Sequence, residues 1–283
     1  MSGRLDPAGG ENPHHNELRS LAERVAGDAG ANALKLRRAG VSLLGSKSSP
    51  EDVVTAADRE TETLIRQLIQ EARPDDAFLG EEGGSSSGSS GLTWIVDPID
   101  GTVNYLYDIP AWAVSIAVVE GDPDPGTWRL LAGAILVPSL GEIYSAALGG
   151  GATLNGKPIK ALEAPNLSLS LVATGFTYSS ERRTGQTAIL NGLISSVRDI
   201  RRSGSAALDL CSVASGRVNA YYESYVNPWD HAAGSIIARE AGAVVGGFDG
   251  NSEGYDLLIA APPATYARLE EALKPLYGDA SIL

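Results

Sequence analysis

The chain has 283 residues, 43% of them apolar and 20% charged, enough for one large domain or two closely packed halves around an ordinary core. A formal charge of −13 argues against a nucleic-acid binder, whose phosphate contacts need a basic face. The best apolar run, Ala111 to Val119, is far shorter than the roughly 18 to 20 residues that span a bilayer, so no membrane partner is expected. The single cysteine, Cys211, sits in the apolar segment Ala206 to Val213 and reads as a buried, inert thiol. It permits no disulfide within the chain, which points to the cytoplasm.

In chain order, Met1 to Pro13 is rich in Gly, Pro and polar residues, has no apolar signal core, and reads as a disordered tail. Asn16 is a candidate N-cap for a helix to about Ala39, with Leu18, Leu21, Ala22, Val25 and Ala29 on one face. A loop at Lys47–Pro50 precedes a second helix over Thr55–Ala72, with Leu64, Ile65, Leu68 and Ile69 turned inward. A short strand at Ala77–Gly80 ends at Glu81-Glu82. Gly83 to Gly91 is almost pure Gly and Ser, with too little apolar content to order itself. Strands follow at Leu92–Val96, Trp112–Val119, Arg129–Val137 and Glu142–Ala147.

Beyond Lys160 the pattern predicts a strand at Leu169–Thr174, helices near Gln186–Ser196 and Ser205–Ser215, and a strand at Val218–Glu223. A helix at Trp229–Ala241, strands at Ala243–Val245 and Leu257–Ala261, and a helix from Pro263 to Leu273 complete the chain. Strands and helices mix without regular βαβ alternation, which suggests a layered α/β fold. The expected division is a tail over residues 1–15, an α+β half over 16–160, and an α/β half over 161–283.

The most informative stretch is Trp94 to Asn104. An apolar run meets two acids three residues apart, then Gly101, then Thr102, a hydroxyl able to start a helix. Pro98 forbids a simple continuation of the sheet, and the amides from Gly101 onward would be the free donors of a helix N-terminus. Such donors attract an anion, whereas Asp97 and Asp100 repel one unless metal ions lie between them. The pairing suggests a metal-dependent site for a phosphate-bearing ligand.

Other acids also fall at strand ends or helix starts: Asp58, Glu81 and Glu82, Glu223, and Asp230. Taken singly, Asp58 or Asp230 reads as a helix cap, Glu81-Glu82 as a solvated turn, and Glu223 as decoration of a strand end. Taken together, they suit hard divalent cations with oxygen ligands, Mg²⁺ above all. Phosphate-monoester hydrolysis needs accelerations of up to about 10²¹-fold, and a general base supplies only about 10²–10⁴, so metal ions are the strongest source of catalysis open to these residues. No covalent nucleophile competes. His14, His15 and His231 show no triad pattern, and His231 is expected on a helix surface.

Gly80-Glu81-Glu82, Asp97-Pro98-Ile99-Asp100-Gly101-Thr102 and Trp229-Asp230-His231-Ala232-Ala233-Gly234 resemble, in order, the three signatures of the inositol monophosphatase family. Arg202 to Leu210 adds a fourth match, and the resemblance covers nearly the whole chain from about Asn16. It implies an α-β-α-β-α sandwich, usually a homodimer, with two or three Mg²⁺ ions per site and frequent inhibition by Li⁺. Glu81, Asp97 and the carbonyl of Ile99 match the ligands of a first metal, and Asp97, Asp100 and Asp230 those of a second. Thr102 paired with Asp58 matches the hydroxyl that positions the attacking water, with Glu81 assisting. Gly101 and Thr102 would hold the phosphate through their amides. Ala206 and Glu223 match contacts to the substrate's hydroxyls, where Asp100 and Asp230 also face the substrate. Glu82 would stand behind its neighbour Glu81, and Lys47 matches a residue that approaches the site.

The resemblance thus implies Mg²⁺-dependent hydrolysis of inositol 1-phosphate to myo-inositol and phosphate, by direct attack of a metal-activated water and without a phospho-enzyme. Histidinol phosphate, 3′-phosphoadenosine 5′-phosphate and fructose bisphosphate are alternative small-molecule phosphomonoesters for the same fold. An additional regulatory binding role is a further alternative. Val103 and Tyr221-Tyr222-Glu223 look more like the inositol-type branch.

Overall fold

The structure is a computed structural model that describes residues 12–40, 43–46 and 53–278. The first helix, α1 (Pro13–Ala39), starts earlier than the spacing predicts. Asn12 rather than Asn16 is its N-cap, accepting from the His14 amide, and Pro13 sets the first helical φ at a position whose missing N–H costs nothing. Residues 13–15 are therefore helical rather than tail, while residues 1–11, like Lys47 and the loop expected at Lys47–Pro50, lie outside the described residues.

Two short strands, β1 (Leu43–Ser46) and β2 (Val53–Thr55), pair antiparallel. They lead into α2 (Ala56–Ala72), then β3 (Ala77–Gly80), β4 (Gly84–Ser86), β5 (Leu92–Asp100) and the single-turn α3 (Thr102–Leu106). Next come β6 (Ala113–Glu120), β7 (Arg129–Val137), β8 (Glu142–Ala147), β9 (Ala152–Leu154) and β10 (Lys157–Pro158). The rest of the chain supplies β11 (Leu171–Thr174), α4 (Ser180–Leu193), β12 (Asp199–Arg201), α5 (Ala206–Ala214) and β13 (Ala220–Glu223). It closes with α6 (Pro228–Glu240), β14 (Val244–Gly246), β15 (Leu258–Ala261) and α7 (Pro263–Tyr277).

Strands β3 to β10 form one sheet of eight, in the order β10-β9-β8-β7-β6-β5-β3-β4, antiparallel except where β3 runs parallel to β5. Strands β11 to β15 form a sheet of five, in the order β12-β11-β13-β15-β14. Helices α1 and α2 cover one face of the large sheet, α5 and α6 fill the space between the sheets, and α4 and α7 cover the far face of the small one. The result is the expected α-β-α-β-α sandwich.

Among the described residues, three larger apolar clusters hold these layers together, one under α1 and α2, one around α5 and α6, and one under α4 and α7, and a smaller fourth gathers Ala33, Ala57, Ile99, Tyr105 and Trp112. Strand β5 is buried at every position, with Trp94 and Val96 packed toward α1 and α2 and Ile95 toward α5 and α6. Each such side chain contributes about 1.5–3 kcal/mol on leaving water, so the acids at the end of β5 stand on a rigid support.

Three expectations are corrected. The strand expected to end at Val96 runs on to Asp100, although, as Pro98 requires, it does not simply continue: the ladder to β6 slips between Asp97 and Asp100, which accommodates a residue with no N–H to donate. The Gly/Ser stretch is ordered by backbone bonding rather than by apolar burial. Gly84–Ser86 pairs with β3, and the amides of Ser89 and Ser90 donate to the Asp75 carbonyl. Finally, His231 is not on a surface. It is fully buried against Trp128, 5.6 Å between ring centroids, because α6 lies between two sheets and has no solvent face at that point. Burial pushes the imidazole down to about 3, so it is neutral near pH 7.

Candidate active site

Helix α2 begins with Thr55 as N-cap, and Asp58 stands three residues on, fully buried. Its Oδ2 accepts from both the amide (2.8 Å) and the hydroxyl of Thr55. Its Oδ1 faces Thr102, whose Oγ1 lies 3.1 Å away and also 3.1 Å from the Ile99 carbonyl. Burial raises the Asp58 pKa, opposed chiefly by the Thr55 bonds.

Strand β3 delivers Glu81, whose amide donates to the Val96 carbonyl at 3.2 Å and so sets it beside β5. The slipped end of β5 presents Asp97 and Asp100, both buried. Asp97 Oδ1 accepts from the Ile99 amide at 3.0 Å, bridging over Pro98. Gly101 then turns the chain into α3 with φ +96°, a left-handed conformation that glycine adopts without strain. A methyl group there would also lie 3.0 Å from the Ala111 carbonyl and 3.1 Å from that of Gly204.

The C-terminal half closes over this edge. Asp100 Oδ2 accepts from Ser205 Oγ (2.6 Å) and the Ala207 amide (2.7 Å), so an acid of the large sheet caps α5. Asn104 makes a second tie, donating to the Ala111 and Ser203 carbonyls at 2.6 and 2.8 Å. Asp230 stands three residues after Asn227 at the start of α6, and accepts from the Asn227 amide at 2.6 Å. Glu223 ends β13, where Tyr221 Oη donates to it at 2.7 Å and where Gly175 leaves room that a methyl group would take from its carboxylate.

These residues share a cavity of about 820 Å³ lined by Glu81, Asp97, Ile99, Asp100, Gly101 and Thr102 on one side and by Ala206, Glu223 and Asp230 on the other. Of the residues predicted from sequence, Asp58 lies directly behind Thr102 rather than on the wall, and Glu82 follows Glu81 outside the lining. Lys47 lies outside the described residues. Asp209, Arg202 and Tyr255 also line the cavity, and sequence reasoning gave them no role. Asp209 sat in plain view, four residues past Ser205 in the fourth matched segment, but nothing in its spacing tells an inward acid from a helix-surface one.

The electrostatics are those of crowded acids out of water. Burial, then Glu81, Asp100 and Asp230, push the Asp97 carboxyl well above its usual range. Burial and then Glu81 push Asp230 up strongly, and Asp100 rises to about 6 through burial despite its bonds to Ser205 and Ala207. Glu223 is pushed up to about 7 by burial, eased by Tyr221 and then Arg202.

Carboxylates that raise one another in this way are what a bound cation relieves. Among the described residues no three acid, His or Cys side chains close on a point as a finished cage. The donor set of carboxylates and one backbone carbonyl therefore fits a hard cation that completes its shell with water and ligand oxygens. Glu81, Asp97, Asp100, Asp230 and the Ile99 carbonyl are the residues that could hold it. The amides of Gly101 and Thr102 and the cavity behind them could take an anion.

The layered fold and its acid-walled cleft define a phosphoric monoester hydrolase. The chain belongs to the inositol monophosphatase family, whose sequence model matches residues 15–276. The inositol-1-monophosphatase of Mycobacterium leprae is 42% identical over 94% of this chain and 97% of its own length. A protein named Nus factor SuhB from Pasteurella multocida is 35% identical over 93% of this chain and 98% of its own. The solved structure of Mycobacterium tuberculosis SuhB superimposes with a TM-score of 0.79 at 39% identity, covering 94% of this chain and 99% of that one.

Proposed function

We propose that this hydrolase is Mg²⁺-dependent and converts inositol 1-phosphate to myo-inositol and phosphate, without a phospho-enzyme. The observation that carries the reading is the placement of Glu81, Asp97, Asp100 and Asp230 on one cavity beside the helix start at Gly101–Thr102. The M. leprae relative, named for the same activity, supports the choice of substrate.

Glu81, Asp97 and the Ile99 carbonyl would hold one ion, and Asp97, Asp100 and Asp230 another. When bound, Mg²⁺ neutralises phosphate charge and makes water acidic enough to act as a nucleophile near neutral pH. The Gly101 and Thr102 amides orient the phosphate. Thr102 Oγ donates its proton inward to Asp58, which leaves its lone pairs toward the cavity to accept from and orient the attacking water. Glu81 assists from the adjoining strand. Glu223 and Ala206, with Asp100 and Asp230, face the alcohol that leaves, and Tyr221 keeps the Glu223 carboxylate aimed. The reading extends to inhibition by Li⁺ and to a homodimer in the cytoplasm.

A second reading adds a regulatory role, favoured by the P. multocida relative's name of Nus factor. One assay separates activity from it: phosphate release from inositol 1-phosphate, in parallel with histidinol phosphate, 3′-phosphoadenosine 5′-phosphate and fructose bisphosphate, with Mg²⁺ and with EDTA. Release that is fastest on inositol 1-phosphate and abolished by EDTA is expected. Equal rates in EDTA, or a strong preference for another ester, would overturn the proposal.

A further inference from the structure

One turn beyond Asp58, α2 carries a second buried acid whose surroundings differ from those of the cavity. Glu62 is 3% exposed. Its Oε2 accepts from the Glu82 amide at 2.7 Å and its Oε1 from the Gly83 amide at 2.8 Å. Arg66, a further turn along, donates to the same Oε1 at 3.2 Å and to the Gly84 carbonyl at 3.1 Å, while its guanidinium lies 4.0 Å over the Phe78 ring. The chain around Glu81 is shaped to this carboxylate. A methyl group at Gly80 would lie 2.5 Å from the Glu62 carboxyl carbon, and one at Gly83 would lie 2.6 Å from Oε1.

We propose that Glu62 is a positioning residue for the hydrolysis: it fixes the turn that carries Glu81, and through it the placement of Glu81 against Asp97. The inference rests on Glu81 being a metal ligand, as in the proposed function. On its N-terminal side Glu81 is tied to β5 by its own amide bond to Val96, and on its C-terminal side the next two amides are tied to Glu62. Asp58 and Glu62, four residues apart, stack on one helix face. One rigid helix therefore sets both the Thr102 hydroxyl and the Glu81 carboxylate. A turn needing only satisfied amides could take them from water at the surface; burying a charge to do so is costly, and a paired, hydrogen-bonded carboxylate instead gives a directional, rigid hold.

Glu62→Gln tests this, since it keeps the shape but turns an NH₂ group toward one of the two amides. In the full chain, Mn²⁺ binding to the free protein is read by electron paramagnetic resonance, and kcat and KM are read on inositol 1-phosphate with Mg²⁺. Exchange of the Glu82 and Gly83 amides is followed by NMR. Loss of a group that orients a ligand costs about 10- to 100-fold in metal affinity or activity. E62Q should weaken Mn²⁺ binding and lower kcat by that factor, with KM little changed and both amides exchanging faster. Ile65→Val, a core truncation in the same helix, controls for stability alone: it should lower the melting temperature and leave Mn²⁺ affinity at the wild-type value. Should E62Q fail to fold, Glu62→Asp, which withdraws the carboxylate by one methylene, carries the same measurements. Wild-type Mn²⁺ affinity and kcat in the variant would overturn the inference alone. Wild-type protein that neither binds Mn²⁺ nor releases phosphate would overturn the phosphatase reading, and this inference with it.

Discussion

Thr102 Oγ1 lies 3.1 Å from Asp58 Oδ1, across 44 residues of chain, and that oxygen is the one the Thr55 cap leaves open. The same carboxylate thus closes a helix and supports a hydroxyl of the cavity wall. Proton transfer by a positioned group contributes about 10²–10⁴-fold. Thr102→Ala and Asp58→Asn should each lower kcat within that range, and Thr102→Ser should restore most of it. Thr55→Ala, which removes the N-cap hydroxyl, should melt earlier, since a lost N-cap side chain costs about 1 kcal/mol. Steady-state kinetics and thermal melts check both, and a T102A variant with wild-type kcat would remove Thr102 from the mechanism.

Asp97 sits where three other acids raise its pKa. Asp97→Asn removes a buried acid whose raised pKa costs folding stability above the usual carboxylate range, so the metal-free protein should become more stable as it loses activity. In EDTA its melting temperature should rise by about 2 °C or more, the shift that about 1 kcal/mol produces in a large domain. With Mg²⁺, its activity should fall by more than about 100-fold, beyond the cost of losing a merely supporting partner, and far more than in Glu223→Gln. Equal losses in the two variants would mean that the metal site is misassigned.

Glu223 provides a pH signature. Its pKa is raised from 4.5 to about 7, so the folded protein holds a proton that the unfolded chain releases above pH 4.5. Its contribution to stability is full below pH 4.5, is lost as pH rises through about 7, and changes no further above that. Glu223→Gln has no such proton, so its stability relative to wild type should climb across this window, with a ceiling of about 3 kcal/mol. His231, shifted the opposite way, is present in both proteins and cancels in the difference. Urea titrations of the two metal-free proteins at several pH values from 4 to 8 measure it. A difference that does not vary with pH would place the Glu223 carboxylate in water rather than in the cavity wall.

Much of the layered fold was legible because its elements carry strong local signals. The Leu18 to Ala29 stripe, the apolar runs of β5 to β8 and the Asp97 to Thr102 motif each bear their own periodicity or punctuation, and the structure places them within a few residues of expectation. The strands missed, β1, β2, β4, β9, β10 and β12, are two to four residues long, too short to show a period of their own. Pairing partners make them strands, and no composition announces a partner. Ordering of the Gly/Ser stretch has the same origin: backbone bonds to β3 and to the Asp75 carbonyl take the place of apolar burial.

The candidate site divides along similar lines. Sequence alone singled out the candidate side chains: acids at strand ends and helix starts, a glycine that permits the turn, and a hydroxyl behind it. Those choices are local, because caps, turns and strand ends are written in neighbouring residues. Tertiary structure decided how they converge. Only the packing of α2 against β5 sets Asp58 behind Thr102, only the docking of α5 gives Asp100 its partners, and only the layer between two sheets turns His231 inward. It also makes Glu62, an ordinary helix acid in the sequence, the acceptor of the Glu82 and Gly83 amides. Burial and long-range contact set the charge state and aim of a carboxylate, and neither is a property of its neighbours in the chain.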